Sequence, residues 1–339
     1  MSEEKMKLKA TRSGFEIRGI TFSTKSEKTF KTSEKGFRML NFGIRKNPSE
    51  NIFLNLQSSK PKQIYWSVPV KGEDKKRETV AFDYGKEPST EGAKMIGAVG
   101  IKLHKDDEVK YFHPYDAWEY LKENLEDGMS VFVKGNIEYS SYKDNQSGDV
   151  RKSRKFVLNA IFATNEPIDF ESEKFEERAV FNQDVIVLGW EPIEGNKETV
   201  YLNAGIVGYN NYEVVQFETI SKVADTLKKN LRKYHAVTVN GVISSEGGAV
   251  EIPAEQDDDG WGTKDTVGVQ RKPTVAKILV TGATPASVDT ETYSEKLVDS
   301  WIKYCDDLKA SKEKSNPANF ETQDGWGSKT EIEDEDPWK

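Results

Sequence analysis

The chain has 339 residues, 36% of them apolar and 11% aromatic, enough to fill the cores of two packed units plus some tail. A lone cysteine, Cys305, excludes a disulfide framework and points to a reducing compartment; three histidines beside it give no zinc spacing. No apolar run approaches bilayer length and Met1-Ser2-Glu3-Glu4-Lys5 opens no signal peptide, so a soluble cytoplasmic protein with no membrane partner is expected. The net charge of −8 conceals an asymmetry: residues 1–164 carry 30 Lys+Arg against 23 Asp+Glu, and the remainder 19 against 34. A basic half and an acidic half imply a polyanionic partner and an acidic tail.

In chain order, strand patterns come first. Alternating or β-rich runs bounded by turn residues occupy Phe15–Ser23, Phe37–Arg45, Ile52–Gln57, Gln63–Val70, Glu78–Tyr84, Met95–Leu103 and Val109–His113. A helix is predicted from Tyr115 to Leu125, with Pro114 in its first turn, Trp118, Leu121 and Leu125 on its core face and Gly128 just past its end. Strands Met129–Tyr142 and Lys155–Thr164 follow, and the Glu-rich residues 165–178 read as a linker. The second half repeats the order: strands Val185–Trp190, Thr199–Tyr209 and Tyr212–Thr219, a helix bearing Ile220, Val223, Leu227 and Leu231, then strands Ala236–Ser244 and Thr274–Gly282. Thr292–Ser311 is an amphipathic helix, and beyond it the chain is too polar to fold alone.

The two halves are related residue by residue. Leu121-Lys122-Glu123-Asn124-Leu125 through Val131-Phe132-Val133-Lys134-Gly135-Asn136-Ile137 recurs at a constant offset as Leu227-Lys228-Lys229-Asn230-Leu231 through Val237-Thr238-Val239-Asn240-Gly241-Val242-Ile243. Leu202-Asn203-Ala204-Gly205-Ile206 likewise echoes Leu40-Asn41-Phe42-Gly43-Ile44. A short helix running into a strand that breaks at glycine, with a returning strand after it, is the second part of an OB fold. The expected fold class is therefore mainly β. It comprises two OB-fold (five-stranded Greek-key barrel) domains over 12–167 and 179–286, the first with extra β-hairpins, a C-terminal helix over 290–311 and a disordered acidic tail over 312–339.

The pattern Ala117…Tyr120-Leu121…Gly128…Val131…Val133-Lys134-Gly135-Asn136-Ile137…Tyr142…Gly148…Arg151, then Phe156…Ala160-Ile161, resembles the single-stranded-DNA-binding proteins of bacteria and phages. Val215-Gln216-Phe217…Ala224…Leu227 continuing to Gly241 is similar to the same pattern, and Glu331-Ile332-Glu333-Asp334-Glu335-Asp336-Pro337-Trp338 to that family's acidic, aromatic-ended tip. Residues 46–110 carry little of the resemblance. It implies a non-enzymatic protein that coats and protects single-stranded DNA in replication or recombination, in the host cytoplasm if phage-encoded. It also implies recruitment of replication or recombination proteins through the tail, by Asp334, Glu335, Asp336 and Trp338, to which the acidic tryptophan motif of residues 323–329 adds Trp326. The chain departs from the pattern in ending on Lys339 rather than an aromatic residue, and in the acidic loops of its second half.

Sequence-tolerant binding of a single strand needs cations along the phosphates and aromatic faces for the bases. The hairpin from Gln63 to Tyr84 offers Tyr65, Trp66, Phe82 and Tyr84 on its arms and Lys71, Lys75, Lys76 and Arg77 at its tip. The fourth-to-fifth-strand hairpin offers Lys134, Tyr139, Tyr142, Lys143, Arg151, Lys152, Arg154 and Lys155, and the second strand Phe37, Arg38, Phe42, Arg45 and Lys46. Against each stands the ordinary alternative: a strand turns about half its aromatics inward, and hairpin lysines are commonly solvated.

Two acidic motifs hold a tryptophan between glycines, around Trp261 (256–264) and Trp326 (323–329). They read either as peptides that dock an indole in a partner or as low-complexity acidic loop and tail. No Walker loop or nucleophile elbow is present; His113 near Asp116 and Asp257-Asp258-Asp259 read as structural and solvated. Neither catalysis nor a cofactor is expected. The competing reading is a protein-interaction scaffold or DNA mimic that uses the acidic Trp motifs.

Overall fold

The computed structural model describes residues 8–73, 76–143, 148–208, 210–251 and 269–315. Its first half runs β1 (Ser13–Phe22), β2 (Phe30–Thr32), β3 (Arg38–Arg45), β4 (Asn51–Ser58), β5 (Gln63–Pro69), β6 (Arg77–Asp83), β7 (Lys94–Met95), β8 (Val99–Lys102), β9 (Lys110–Phe112), α1 (Pro114–Asn124), β10 (Ser130–Lys143) and β11 (Val150–Ala163). The second runs β12 (Ala179–Ile193), β13 (Asn196–Val207), β14 (Tyr212–Ile220), α2 (Ser221–Asn230), β15 (Ala236–Glu251), β16 (Val269–Asp289) and α3 (Glu295–Ser315). The protein is mainly β.

In each half five strands close a ring. β1 pairs with β3, β3 with β4, β4 in parallel with β11, β11 with β10, and β10 back to β1. β12, β13, β14, β16 and β15 close in the same order, again through one parallel pair, β14 with β16. A helix stands between third and fourth strands both times, and each ends with the N–H of its capping leucine, Leu125 or Leu231, on the carbonyl four residues back.

The repeated glycine has a packing reason. β10 shifts register between Lys134 and Gly135, and β15 between Asn240 and Gly241. At both places a phenylalanine from the opposing first strand, Phe15 or Phe181, lies over the glycine. A Cβ at Gly135 would stand 1.9 Å from the Val157 carbonyl oxygen and 2.5 Å from the Phe15 ring; at Gly241 it would stand 1.9 Å from the Leu279 oxygen and 2.7 Å from Phe181. The recurrence in sequence is thus a recurrence of one packing solution.

The halves are joined by backbone. Residues 13–17 of β1 pair antiparallel with residues 179–183 of β12, so one sheet runs through both rings. That pairing starts β12 at Ala179, six residues ahead of the Val185 read from the sequence, because Asn182, Gln183 and Asp184 look like turn residues until β1 supplies their partners. Gln183, 1% exposed, donates to the Arg12 and Asp184 carbonyls. One buried cluster crosses both rings, from Phe15 and Ile17 to Val239 and Val280. A second gathers Leu8 ahead of β1, Ile186, Val207 and the α3 residues Val298, Trp301 and Cys305. Helix α3 continues past the expected Ser311 to Ser315; the tail beyond it and the Trp261 motif lie outside the described residues. Trp118, Leu121 and Leu125 are core, as read.

Candidate nucleic-acid interface

Strands β3 and β4 bury Leu40, Phe42, Ile44, Ile52, Leu54 and Leu56 and turn the intervening residues outward. Met39 faces Gln57, Asn41 faces Asn55, Gly43 faces Phe53 and Arg45 faces Asn51. β1 ends on this face with Phe22 opposite Gly43, its ring so close that a Cβ on Gly43 would meet it at 2.1 Å. Phe53, 37% exposed, packs edge-on against Phe22 at 5.6 Å, and the Arg45 guanidinium stands 5.7 Å from the Phe22 ring. An exposed aromatic ring beside a cation is what stacking of an unpaired base and pairing with its phosphate require. Phe53 and Phe22 were absent from the residues singled out in the sequence, although strict alternation between Ile52 and Leu54 directs Phe53 outward.

Several expected residues serve the fold instead. Phe42 is fully buried in the core. Lys46 is 3% exposed, held by Glu50 at 3.1 Å and Glu177 at 2.5 Å, which compensate its burial. Burial works to raise the Glu50 carboxyl, but the Ser245 N–H, Lys46 and Asn47 outweigh it and leave the group below the usual carboxylate range. Arg38 lies over the Tyr115 and Trp118 rings at 3.9 and 4.9 Å, donates to the Tyr115 carbonyl at 2.9 Å and pairs with Glu119 at 2.5 Å, which ties β3 to α1. Phe37 is half-buried.

The β5–β6 hairpin has a small core of its own. Ile64, Trp66 and Val68 pack with Val80, Phe82, Tyr84, Ala93 and Met95, so Trp66, Phe82 and Tyr84 are not presented to solvent as a stacking face. Tyr84 donates to Asp116, and its hydroxyl is pushed up to about 12 by burial and then by that carboxylate. His113, whose pKa burial lowers from the usual imidazole range, caps α1 by accepting from the Tyr115 N–H at 3.2 Å. Tyr65 is on the other side of the hairpin and 54% exposed. At the tip Lys71 is exposed, Lys76 pairs with Glu73 at 2.9 Å, and Arg77 folds back onto Ser67 Oγ and the Ser67 and Gly92 carbonyls; Lys75 lies outside the described residues.

The β10–β11 hairpin reaches across to the second ring. Ser141 donates through N–H and Oγ to Glu213, Lys152 Nζ to the Val214 carbonyl at 2.9 Å, Arg154 to the Ala276 carbonyl, and Asn211 Nδ2 to the Tyr139 carbonyl at 3.2 Å. Tyr139 is 8% exposed and edge-on to Phe217. Tyr139, Lys152 and Arg154 therefore bind the other half of the chain in this structure. Burial drives the Tyr139 hydroxyl far above its ordinary pKa, and its oxygen has no hydrogen-bond partner. Tyr139→Phe is accordingly expected to change stability by less than about 1 kcal/mol, since it removes an unsatisfied buried group, and to leave oligonucleotide affinity unchanged. A urea titration beside a binding isotherm checks both, and a large loss of affinity would return Tyr139 to the interface. Of the rest, Tyr142 and Lys155 are half-buried, Arg151 is exposed, Lys134 is exposed and pairs with Glu16 at 2.9 Å, and the Lys143 side chain is outside those described.

The second ring presents different chemistry at the equivalent face. Asn203 and Gln216 stand where Asn41 and Asn55 do, and both donate to Glu191, at 2.7 and 3.1 Å. Gly205 faces Val214 where Gly43 faces Phe53. A carboxylate bonded to two amides repels phosphate, so the first ring holds the better site for a polyanion. Trp326, Asp334, Glu335, Asp336 and Trp338 lie outside the described residues. Among the described residues there is no cluster of His, Cys, Asp and Glu able to hold a metal ion, and no helix is long and apolar enough to cross a membrane.

Two solved structures of the single-stranded DNA binding protein from Thermus aquaticus, the wild type and a deletion mutant, are similar at 11% sequence identity and a TM-score of 0.34. The match covers 69% of this chain and 85% and 87% of theirs, and so distant a likeness carries no functional weight. No curated protein matches the sequence. A family model described as YorF matches residues 13–316, from the first residue of β1 past the end of α3, and the chain belongs to the YorF family.

Proposed function

We propose that this protein is a single-stranded-DNA-binding protein built on two OB folds, the five-stranded rings, and that it coats and protects unpaired DNA in replication or recombination without catalysing a reaction. The observation that carries this reading is the outward group of Phe22 at the end of β1 with Phe53 and Arg45 on β3–β4 of the first ring, beside the cross-strand amides Asn41 and Asn55. Each base stacked on such a ring contributes about 1–3 kcal/mol whatever its identity, which accounts for binding without sequence preference. The excess of Lys and Arg in residues 1–164 draws the phosphates to this half. The acidic tail, with Trp326 and Trp338, is assigned to recruiting other replication or recombination proteins.

A salt series of fluorescence binding to oligo-dT, on the full chain, tests the reading. We expect affinity that falls steeply as salt rises and far weaker binding to duplex of the same length. Equal affinity for duplex, or no binding to any oligonucleotide at low salt, overturns it. A second reading, a protein-interaction scaffold, draws on the Glu191, Asn203 and Gln216 group of the second ring, which suits a basic peptide better than a nucleic acid. Truncation after Ser315 separates the two: the first expects oligonucleotide affinity to be kept, the second expects loss of partner binding with no oligonucleotide binding to begin with.

A further inference from the structure

A second outward-facing aromatic and cationic surface, with Tyr111 exposed and Phe132 and Phe162 half-buried, lies on a different wall of the first ring, across β9, β8, β11, β10 and β1. The inward residues of these strands, Ile101, Ile161, Val131, Val133 and Ile17, are at most 1% exposed, which fixes the opposite face as outward. On that face the pairing sets residues side by side in two rows. Lys102 stands beside Phe162, Phe162 beside Phe132, and Phe132 beside Arg18. In the next row Tyr111 stands beside Gly100, Gly100 beside Ala160, Ala160 beside Lys134, and Lys134 beside Glu16. Gly100, which is buried, and Ala160 keep the floor shallow: a Cβ on Gly100 would lie 3.4 Å from the Tyr111 ring and 3.7 Å from Phe162, so the two rings lie against the glycine along one strip. Tyr111 is 68% exposed, the highest value among the protein's aromatic residues described as exposed.

Charge gathers at the β1 edge of the strip. Lys134 Nζ and the Arg178 guanidinium stand 5.2 and 5.9 Å from the Phe132 ring, Arg18 is its cross-strand neighbour, and Lys102 closes the far end. Among the described residues of these two rows Glu16 is the one acid, and Lys134 and Arg178 both bind it. Three rings in succession, Tyr111, Phe162 and Phe132, extend over roughly three strand spacings, about 14 Å, enough for a few nucleotides. Nothing in the β3–β4 site uses any of these residues.

We infer that this strip is a second contact for single-stranded polynucleotide, engaged only by strands long enough to leave the β3–β4 face and continue around the ring. The occupant follows from complementarity: stacking faces for bases, with Arg18, Lys102, Lys134 and Arg178 against a single acid for phosphates. The inference rests on the nucleic-acid reading of the preceding section.

The test uses the full-length protein and two probes, oligo-dT of roughly 10 and roughly 40 nucleotides, the first near the roughly 4–16 nucleotides one OB fold covers. The variant combines Arg18→Glu, Lys102→Glu and Tyr111→Ala, all at partly or fully exposed positions, with Tyr111→Phe alone as a control that keeps the ring. We expect the short probe to bind the triple variant within about twofold of wild type, and the long probe to lose about tenfold with a shallower salt dependence, since contacts to phosphate are removed. Tyr111→Phe should bind both like wild type. A matching thermal melt guards against unfolding, and if the triple variant melts early, Tyr111→Ala alone with the long probe carries the test, with a loss of about threefold expected. The inference is overturned if the long probe binds variant and wild type with the same affinity and salt slope. It is also overturned if the variant changes sedimentation of the DNA-free protein from dimer to monomer, which would give the strip to a second copy of the chain. Wild type that binds neither probe overturns the nucleic-acid reading itself, a result distinct from both.

Discussion

Replacing Gly135 by alanine should destabilise the protein by about 3 kcal/mol or more, at the upper end of what overpacking costs. The new methyl group would have to share space with the Val157 carbonyl oxygen and the Phe15 ring. Neither can retreat: the oxygen belongs to the paired strand β11, and Phe15 is 2% exposed in the core, edge-on to Phe156 at 5.4 Å. Gly241→Ala meets the same obstruction in the second ring and should behave alike. Gly282→Ala is the matched control, a strand glycine whose added Cβ has nothing within 4 Å, and it should be neutral or slightly stabilising. Urea titrations of the three variants decide the matter. A midpoint for Gly135→Ala equal to that of wild type would show that the strands part more readily than their packing implies.

Phe53→Ala carries the largest expected effect on binding. Loss of one stacked base at about 1–3 kcal/mol corresponds to roughly 5- to 150-fold weaker binding of oligo-dT. At 37% exposure the ring contributes little to the core, and stability should shift by less than about 1 kcal/mol. Phe53→Tyr should bind nearly as wild type, because the π face is kept. Arg45→Ala should lower affinity and flatten the salt dependence by about 0.7 in logarithmic slope, the signature of one lost phosphate contact on a single strand. Val214→Ala, at the corresponding place in the second ring, should leave affinity unchanged, since its neighbours Glu191, Asn203 and Gln216 disfavour phosphate. Wild-type affinity in Phe53→Ala, with the protein still binding oligo-dT, would remove the β3–β4 face as the site.

Local periodicity made most of the strands readable. Alternation in Ile52–Gln57 and Gln63–Val70 corresponds to β4 and β5, and the spacing of Trp118, Leu121 and Leu125 to the buried face of α1. The short β2, Phe30-Lys31-Thr32, escaped because three residues show no period, and its pairing with β3 is what makes it a strand. The site was less legible. Arg45 stands where a binding residue should, yet Phe42 and Trp66 carry the same aromatic signal as Phe53 and face inward. Composition does not reveal which way a ring points, and the cations are more ambiguous still. Lys46 and Arg38 look like phosphate ligands until Glu177 and Glu119, 131 and 81 residues away, take their charge.

By itself the sequence determined that one strand–helix–strand pattern occurs twice, where its glycines fall, and that positive charge collects in the first half. These depend on neighbours along the chain, on repetition or on simple composition. Only the tertiary structure decided that β1 and β12 join the two rings, that Tyr139, Lys152 and Arg154 turn to the second ring, and that Phe22 and Phe53 share an outward face with Arg45. Those outcomes depend on which distant segments compete for each backbone edge and each charge, and that competition is resolved only when the chain closes on itself.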